Sequence, residues 1–228
     1  MGVMVIGDIH GCSQALDALL AAVQIEPFDE IITLGDYVDR GPDSRGVIER
    51  LLKLRRTNRL IALRGNHELM MLDAWHGKEA TEWLKCGGRA TLASYAAAGM
   101  DGKLSDVPDA HWDFLENHCV NWHETDTHFF VHANAYPDVA LDEQPDYMLF
   151  WEQLQKTAAH RSGKIMVCGH TPQKSGLPLN LGHAICLDTW VHGRGWLTCL
   201  DITTGQYWQA TQTGKQRTAW IDELAESY

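Results

Sequence analysis

Hydrophobic residues fall into two patterns that alternate along the first part of the chain. Short, nearly unbroken apolar runs at 3–6, 31–34 and 60–63 each lead into a glycine: Gly7, Gly35 and Gly65. Runs this short and this apolar predict strands buried on both faces, as in a parallel sheet. Between them, Leu16, Leu19, Leu20 and Val23 recur at helical spacing over 13–23, and Val47, Ile48, Leu51, Leu52 and Leu54 do so over 44–54. These predict amphipathic helices, the first with Ser13 as N-cap. Strand, loop and helix in repetition predict the parallel half of an α/β fold. Residues 67–118 read as helical, with breaks near Gly77, at Gly87-Gly88 and over 99–102. Strand patterns return at 129–131, 165–168, 184–187, 196–200 and 206–209. No repeat, low-complexity tract or linker interrupts the pattern, so a single domain over 1–228 is expected.

Composition narrows the classes of partner. The chain has 228 residues, is 45% hydrophobic and carries a formal net charge of −11. That is enough apolar material for a core without a metal staple. The acidic balance argues against nucleic acid or an anionic membrane as partner. The cysteines (Cys12, Cys86, Cys119, Cys168, Cys186 and Cys199) form no C-x-x-C pair and read as thiols of a reducing compartment. No basic-plus-apolar leader precedes Asp8, and Ile6 stands where an N-myristoylation site wants Ser or Thr. No apolar run approaches the roughly 20 residues needed to cross a bilayer. A soluble, cytoplasmic protein is expected.

The glycines that end the strands belong to blocks rich in metal ligands. They read Gly7-Asp8-Ile9-His10-Gly11, Gly35-Asp36-Tyr37-Val38-Asp39-Arg40-Gly41 and Gly65-Asn66-His67-Glu68. Farther on, His132 and His170 follow predicted strands. In open α/β sheets ligands gather beyond the carboxyl ends of the strands, and all of these residues lie there. Asp8 and His10, two apart, can share one side of an extended stretch. Carboxylate, imidazole and amide oxygen without thiolate suit Mn²⁺, Fe or Zn²⁺. Asp36, in the middle block, is the candidate bridge between two ions, which could hold a hydroxide nucleophile and phosphoryl oxygens together. Such ions would also make the site locally positive for an anionic substrate in an acidic protein.

His67, next to Asn66, is a candidate general acid for a leaving alkoxide. Asp39 is a candidate to fix its tautomer and raise its pKa, and Arg40 offers a fork for phosphate oxygens. Isolated histidines are more often packing or surface residues. His76, His111, His118, His123, His128, His160 and His192 are assigned to that class, and Trp75, Trp83 and Trp112 to packing. Glu68 reads as a first-turn acid favoured by the helix dipole. Asp222, Glu223 and Glu226 read as a solvated end.

On these blocks the chain resembles the phosphoprotein phosphatase family of metallophosphoesterases, and in particular its small bacterial and phage members. The resemblance also takes in Val131-His132-Ala133, Gly169-His170-Thr171-Pro172 and Leu187-Asp188-Thr189. It implies an α/β fold of two mixed β-sheets packed face to face with flanking helices. It also implies two divalent metal ions, expected to be Mn²⁺. Asp8 and His10 would bind the first and Asp36 would bridge. Asn66, His132 and His170 would bind the second. His67 would be the acid, paired with Asp39, and Arg40 would bind phosphate. His183 is left out, because His170 sits in the block that supplies the last ligand. The implied activity is hydrolysis of phosphoserine, phosphothreonine and also phosphotyrosine in proteins. Its rivals are a dinucleoside polyphosphate or small polyphosphate hydrolase and a non-catalytic phosphate-binding protein. Asp39, an acid that the dinucleoside group tends to replace, favours the protein phosphatase. One departure stands out. The family places a second phosphate-binding arginine two residues after a tryptophan, and here Trp151 is followed by Glu152 and Gln153. Arg161 from a shifted loop, or Gln153 itself, would have to serve instead.

Overall fold

A computed structural model describes residues 2–23, 25–26, 29–155 and 158–224. Glu226 lies outside them. The first half runs β1 (Val3–Ile6), α1 (Ser13–Val23), β2 (Glu30–Thr33), α2 (Ser44–Thr57) and β3 (Arg59–Leu63). A helical stretch follows, with α3 (Asn66–Trp75), α4 (Thr81–Trp83), a π-turn at Leu84–Gly88, α5 (Arg89–Tyr95) and α6 (Asp109–Asn117). The second half holds β4 (Cys119–Val120), β5 (Trp122–Glu124), β6 (His128–Val131), α7 (Asp146–Phe150) and β7 (Ile165–Cys168). It closes with β8 (Leu179–Asn180), β9 (Ala184–Cys186), β10 (Leu197–Asp201), β11 (Gln206–Ala210) and β12 (Gln216–Trp220).

The strands form two mixed sheets. One has the order β12-β11-β10-β1-β2-β3-β4 and the other β5-β6-β7-β9-β8. β1 through β4 run parallel, and β10 joins β1 antiparallel. In the second sheet β6, β7 and β9 are parallel. Alternation along each strand sorts side chains into layers. Met4 and Ile6 pack with Leu16 and Leu19 of α1 and with Val47, Ile48 and Leu51 of α2. Val5, Ile32 and Leu63 face Phe130, Val167 and Ile185 in the slab between the sheets. Phe129, Val131 and Met166 turn outward against Leu149 and Phe150 of α7. Burial on both faces explains why these strands read as continuous apolar runs.

The departures from expectation are local. α1 begins at Ser13 itself, so Ser13 is a helical residue rather than the cap. α2 has a side-chain cap: Asp43 accepts from the Gly46 amide at 2.9 Å. β4, β5 and β8 span only two or three residues each, too short for a period to show. β12 is an edge strand with largely exposed side chains, so it lacks a hydrophobic signature.

Candidate active site

The loops that follow β1, β2, β6 and β7, with the first turn of α3 after β3, bring Asp8, His10, Asp36, Asn66, His67, His132 and His170 to one end of the sandwich. Asp36 is at the centre. His10 Nε2 lies 3.3 Å from its Oδ2, His132 Nε2 3.4 Å from its Oδ1 and His67 Nε2 3.9 Å from its Oδ2. Two sets of donors share it, His10 with Asp36 and His67, and Asp36 with His132 and His170, each within 4.8 Å. Asp8 belongs to neither set, but it is tied to the second, because its Oδ2 accepts from the His170 amide at 3.0 Å. The extended spacing expected for Asp8 and His10 does not occur, since His10 is left-handed with φ 44°.

The backbone is bent to this purpose. His10, Asp36, Asp39, Arg40 and His170 all have positive φ, and among the described residues Trp190 is the one other non-glycine that does. Such conformations cost side-chain-bearing residues free energy and cluster at functional sites. The flanking glycines make room. A Cβ on Gly169 would lie 1.9 Å from Asp8 Oδ1, and one on Gly65 would lie 2.2 Å from Asp36 Oδ1.

The donor chemistry fits divalent cations. His10 Nδ1–H donates to the Val38 carbonyl at 3.0 Å and His132 Nδ1–H to the Leu34 carbonyl at 2.7 Å. Each ring therefore turns an Nε2 lone pair inward. His170 is reversed: its Nε2–H donates to the Trp151 carbonyl at 3.1 Å. His132 Nε2 then faces Asn66 Oδ1 at 3.0 Å and Asp36 Oδ1 at 3.4 Å, three acceptors converging with no proton among them. Asp8 Oδ1 and Asp188 Oδ2 are buried without a hydrogen-bond partner. Burial, reinforced by the charges of Asp188 and Asp36, pushes Asp8 well above the usual carboxylate range, and burial lifts Asp188 to about 7. Burial also lowers His132 to about 4. Burial would raise Asp36 too, but the surrounding His132, His67 and His10 hold it well below the usual range. Buried acceptors in this condition are what a bound cation relieves.

His67 is wired differently. Its Nδ1–H donates to Asp39 Oδ2 at 2.6 Å. Burial pulls its pKa down, but the carboxylates of Asp36 and Asp39 outweigh burial and raise it. Asp39 is held in turn by Thr91, whose hydroxyl donates at 2.6 Å, and by the Trp83 indole N–H at 3.0 and 3.1 Å. Trp83 is thus more than packing.

Two other residues do more than the sequence reading gave them. Glu68 is fully buried and accepts from the amides of Gly65, Asp36, Tyr37 and Val38. It is the clamp that joins the second and third blocks, and burial pushes its carboxyl up to about 7. His192, placed among the packing histidines, stands at the site instead. Its ring meets His10 edge-on at 4.9 Å, and its Nε2 lies 3.4 Å from Arg40 Nη1. Burial and the nearby Arg40 lower it to about 4.

The remaining assignments hold. His76, His111, His118, His128 and His160 bond to Glu116, Tyr95, Asp113, Thr127 and Val139, and His123 stacks on Phe130. Trp75 and Trp112 stack at 4.5 Å. Arg161 does not reach the site, because its guanidinium donates to the Asp138 carbonyl. Gln153 lines an open groove with Tyr136, Tyr147 and Glu152, next to the Trp151 carbonyl that receives His170.

A buried cluster of acids and imidazoles, gathered at strand ends of a two-sheet sandwich and fitted to cations, defines a metal-dependent hydrolase of phosphate esters. The chain belongs to the calcineurin-like phosphoesterases, whose family profile matches residues 1–195, and members of that family use divalent metals. It is 32% identical to serine/threonine-protein phosphatase 1 of Salmonella typhimurium, over 88% of this chain and 91% of that one. It is also 39% identical to a symmetrical bis(5'-nucleosyl)-tetraphosphatase of Pseudomonas putida, but over 80 residues, which are 35% of this chain and 27% of that relative. A solved structure of a candidate diadenosine tetraphosphatase superposes with a TM-score of 0.66 at 22% identity, covering 96% of this chain and 93% of that one. At that identity it speaks for the fold.

Proposed function

We propose that this phosphoesterase is a phosphomonoesterase acting on phosphoserine and phosphothreonine, and also phosphotyrosine, in proteins. The observation that carries the reading is the buried His67–Asp39 pair, with Nδ1 and Oδ2 at 2.6 Å beside Asp36. A monoester with an alkoxide leaving group needs a proton, and His67 is held to supply one. Two divalent ions, Mn²⁺ in the first instance with Fe or Zn²⁺ also compatible, would be held by Asp8, His10 and Asp36 on one side and by Asp36, Asn66, His132 and His170 on the other. Bound there, they supply Lewis-acid polarisation and offset the charge of the phosphate. Asp39 keeps His67 in the tautomer that presents Nε2 to the site, and Arg40 binds phosphate oxygens.

The similarity to the tetraphosphatase favours a second reading, hydrolysis of dinucleoside polyphosphates. Against it stands the extent of the similarity, which covers 35% of this chain for the tetraphosphatase and 88% for the protein phosphatase. Beside the Trp151 carbonyl that receives His170, the groove is lined by Glu152 and Gln153, so a polyphosphate chain would meet an acid there in place of an arginine. No described helix is long and apolar enough to cross a membrane, and the described cysteines are free and mostly buried. Both are compatible with cytoplasmic work on protein substrates.

The test is turnover of a phosphoserine peptide, diadenosine tetraphosphate and tripolyphosphate, side by side, after chelation and after Mn²⁺ is restored. The peptide should be hydrolysed fastest, and only with metal. A higher kcat/KM on the tetraphosphate would replace this reading by the second.

A further inference from the structure

Arg40 is the candidate phosphate ligand, yet the structure gives its guanidinium no carboxylate. Among the described residues its side chain has two partners, and both are imidazoles. Arg40 Nη1 lies 2.8 Å from His10 Nε2 and 3.4 Å from His192 Nε2. His10 Nε2 is also the lone pair turned toward Asp36, since His10 spends its Nδ1–H on Val38. A lone pair given to a cation is no longer available to Arg40. The acceptor then left to Nη1 is His192.

The loop around His192 is built to hold that ring in place. Trp190 takes φ 63°, and its amide donates to Asp188 Oδ1 at 3.0 Å. The amides of Gly193 and Gly195 both donate to the Trp190 carbonyl at 3.1 Å. A side chain at Gly193 would strike the Trp190 ring, where its Cβ would lie 2.4 Å from Cε2. The closed turn sets His192 against His10 on one side and Trp190 on the other, with ring centroids 4.9 and 6.2 Å away. Arginine is among the side chains with most rotamer freedom to lose, and here no second arginine stands at the Trp151–Gln153 register to share its task.

We infer that His192 is a positioning residue that holds the Arg40 guanidinium over the phosphate-binding side of the site by accepting a hydrogen bond at Nε2. The ligand it prepares Arg40 for is a phosphate dianion, whether on a substrate or free. The inference rests on the proposed role of Arg40 within the phosphomonoesterase reading.

Inorganic phosphate is the probe. Its affinity for the metal-loaded protein is measured by calorimetry and as inhibition of nitrophenyl phosphate hydrolysis, with metal content by elemental analysis. His192→Ala should weaken phosphate binding and raise KM about threefold to tenfold, the worth of one hydrogen bond. Both metals should stay and kcat should change little. His192→Gln, which keeps an acceptor, should recover most of the loss. The deciding comparison is the double variant: in an Arg40→Ala background, His192→Ala should cost nothing more, because a positioning residue acts through its partner. Additive losses, an unchanged phosphate affinity or a loss of metal would each overturn the inference. Calorimetry does not depend on turnover. A protein that binds phosphate but leaves phosphopeptides intact would therefore refute the proposed substrate while still testing His192.

Discussion

His67 and His132 are both buried imidazoles within 4 Å of the same Asp36 carboxylate, yet their proton affinities move in opposite directions. The difference lies behind each ring. His132 sends its Nδ1–H to a backbone carbonyl, a neutral acceptor, and burial drives it to about 4. His67 sends the same atom to the Asp39 carboxylate, which adds to the charge of Asp36, and together they raise its pKa against burial. One ring is left with a bare Nε2, as the proposed ligand role requires, and the other is left able to carry a proton, as the proposed acid role requires. Residue type and nearness to Asp36 are common to both rings; the carboxylate at Nδ1 is what His67 has and His132 lacks.

Asp36→Asn removes the charge common to both rings and should have the largest effect. Activity should fall by at least about 10³-fold, the several kcal/mol a metal site contributes. Elemental analysis should show more metal lost than in Asp8→Asn, and equal loss would argue against a shared carboxylate.

His67→Asn should come next, with metal retained and about 10²–10⁴-fold loss on a phosphoserine peptide. The loss on nitrophenyl phosphate should be smaller, because its leaving phenolate needs no proton. Metal loss in this variant would make His67 a ligand like His132 and erase the contrast.

Asp39→Asn should sharpen it. The folded pKa of His67 is raised, so the protonated acid is present below that pKa and lost as pH rises through it. Without the carboxylate, the alkaline limb of the pH–rate profile should move to lower pH, with a rate loss of about 10–100-fold near neutrality. A limb that stays in place would mean that another group titrates there.

Trp83→Phe removes one donor from Asp39 and leaves Thr91 in place. It should cost about twofold to tenfold in kcat, the worth of a single hydrogen bond. No change would confine Trp83 to packing.

The strand ends and their ligand blocks were legible because each is local. A strand buried on both faces writes an unbroken apolar run, and a turn that crowds a carboxylate writes a glycine next to it. Asp8, His10, Asp36, Asn66, His132 and His170 could therefore be named from sequence and do converge. What stayed hidden depends on contacts that no short window contains. Trp83 meets Asp39 across 44 residues and His192 meets Arg40 across 152. His192 sits in a glycine-rich turn with no periodicity to mark it, and its nearest signal was the missing arginine after Trp151. Glu68 was read as a first-turn acid, and it is one, at the third position of α3. Its second role, clamping 36–38, required knowing that β2 and β3 are neighbours.

The left-handed residues at the site carry a further consequence. His10, Asp36, Asp39, Arg40 and His170 each occupy the left-handed region, which glycine enters freely, which aspartate tolerates, and which costs other side chains about 1–2 kcal/mol. The fold is held against this strain by its three apolar layers, and the proposed phosphate chemistry depends on the side chains that bear it. A laboratory selection for heat tolerance alone, blind to activity, should therefore wear this site away before it touches the cores. Arg40, exposed and without a carboxylate partner, is the position where glycine should arrive first.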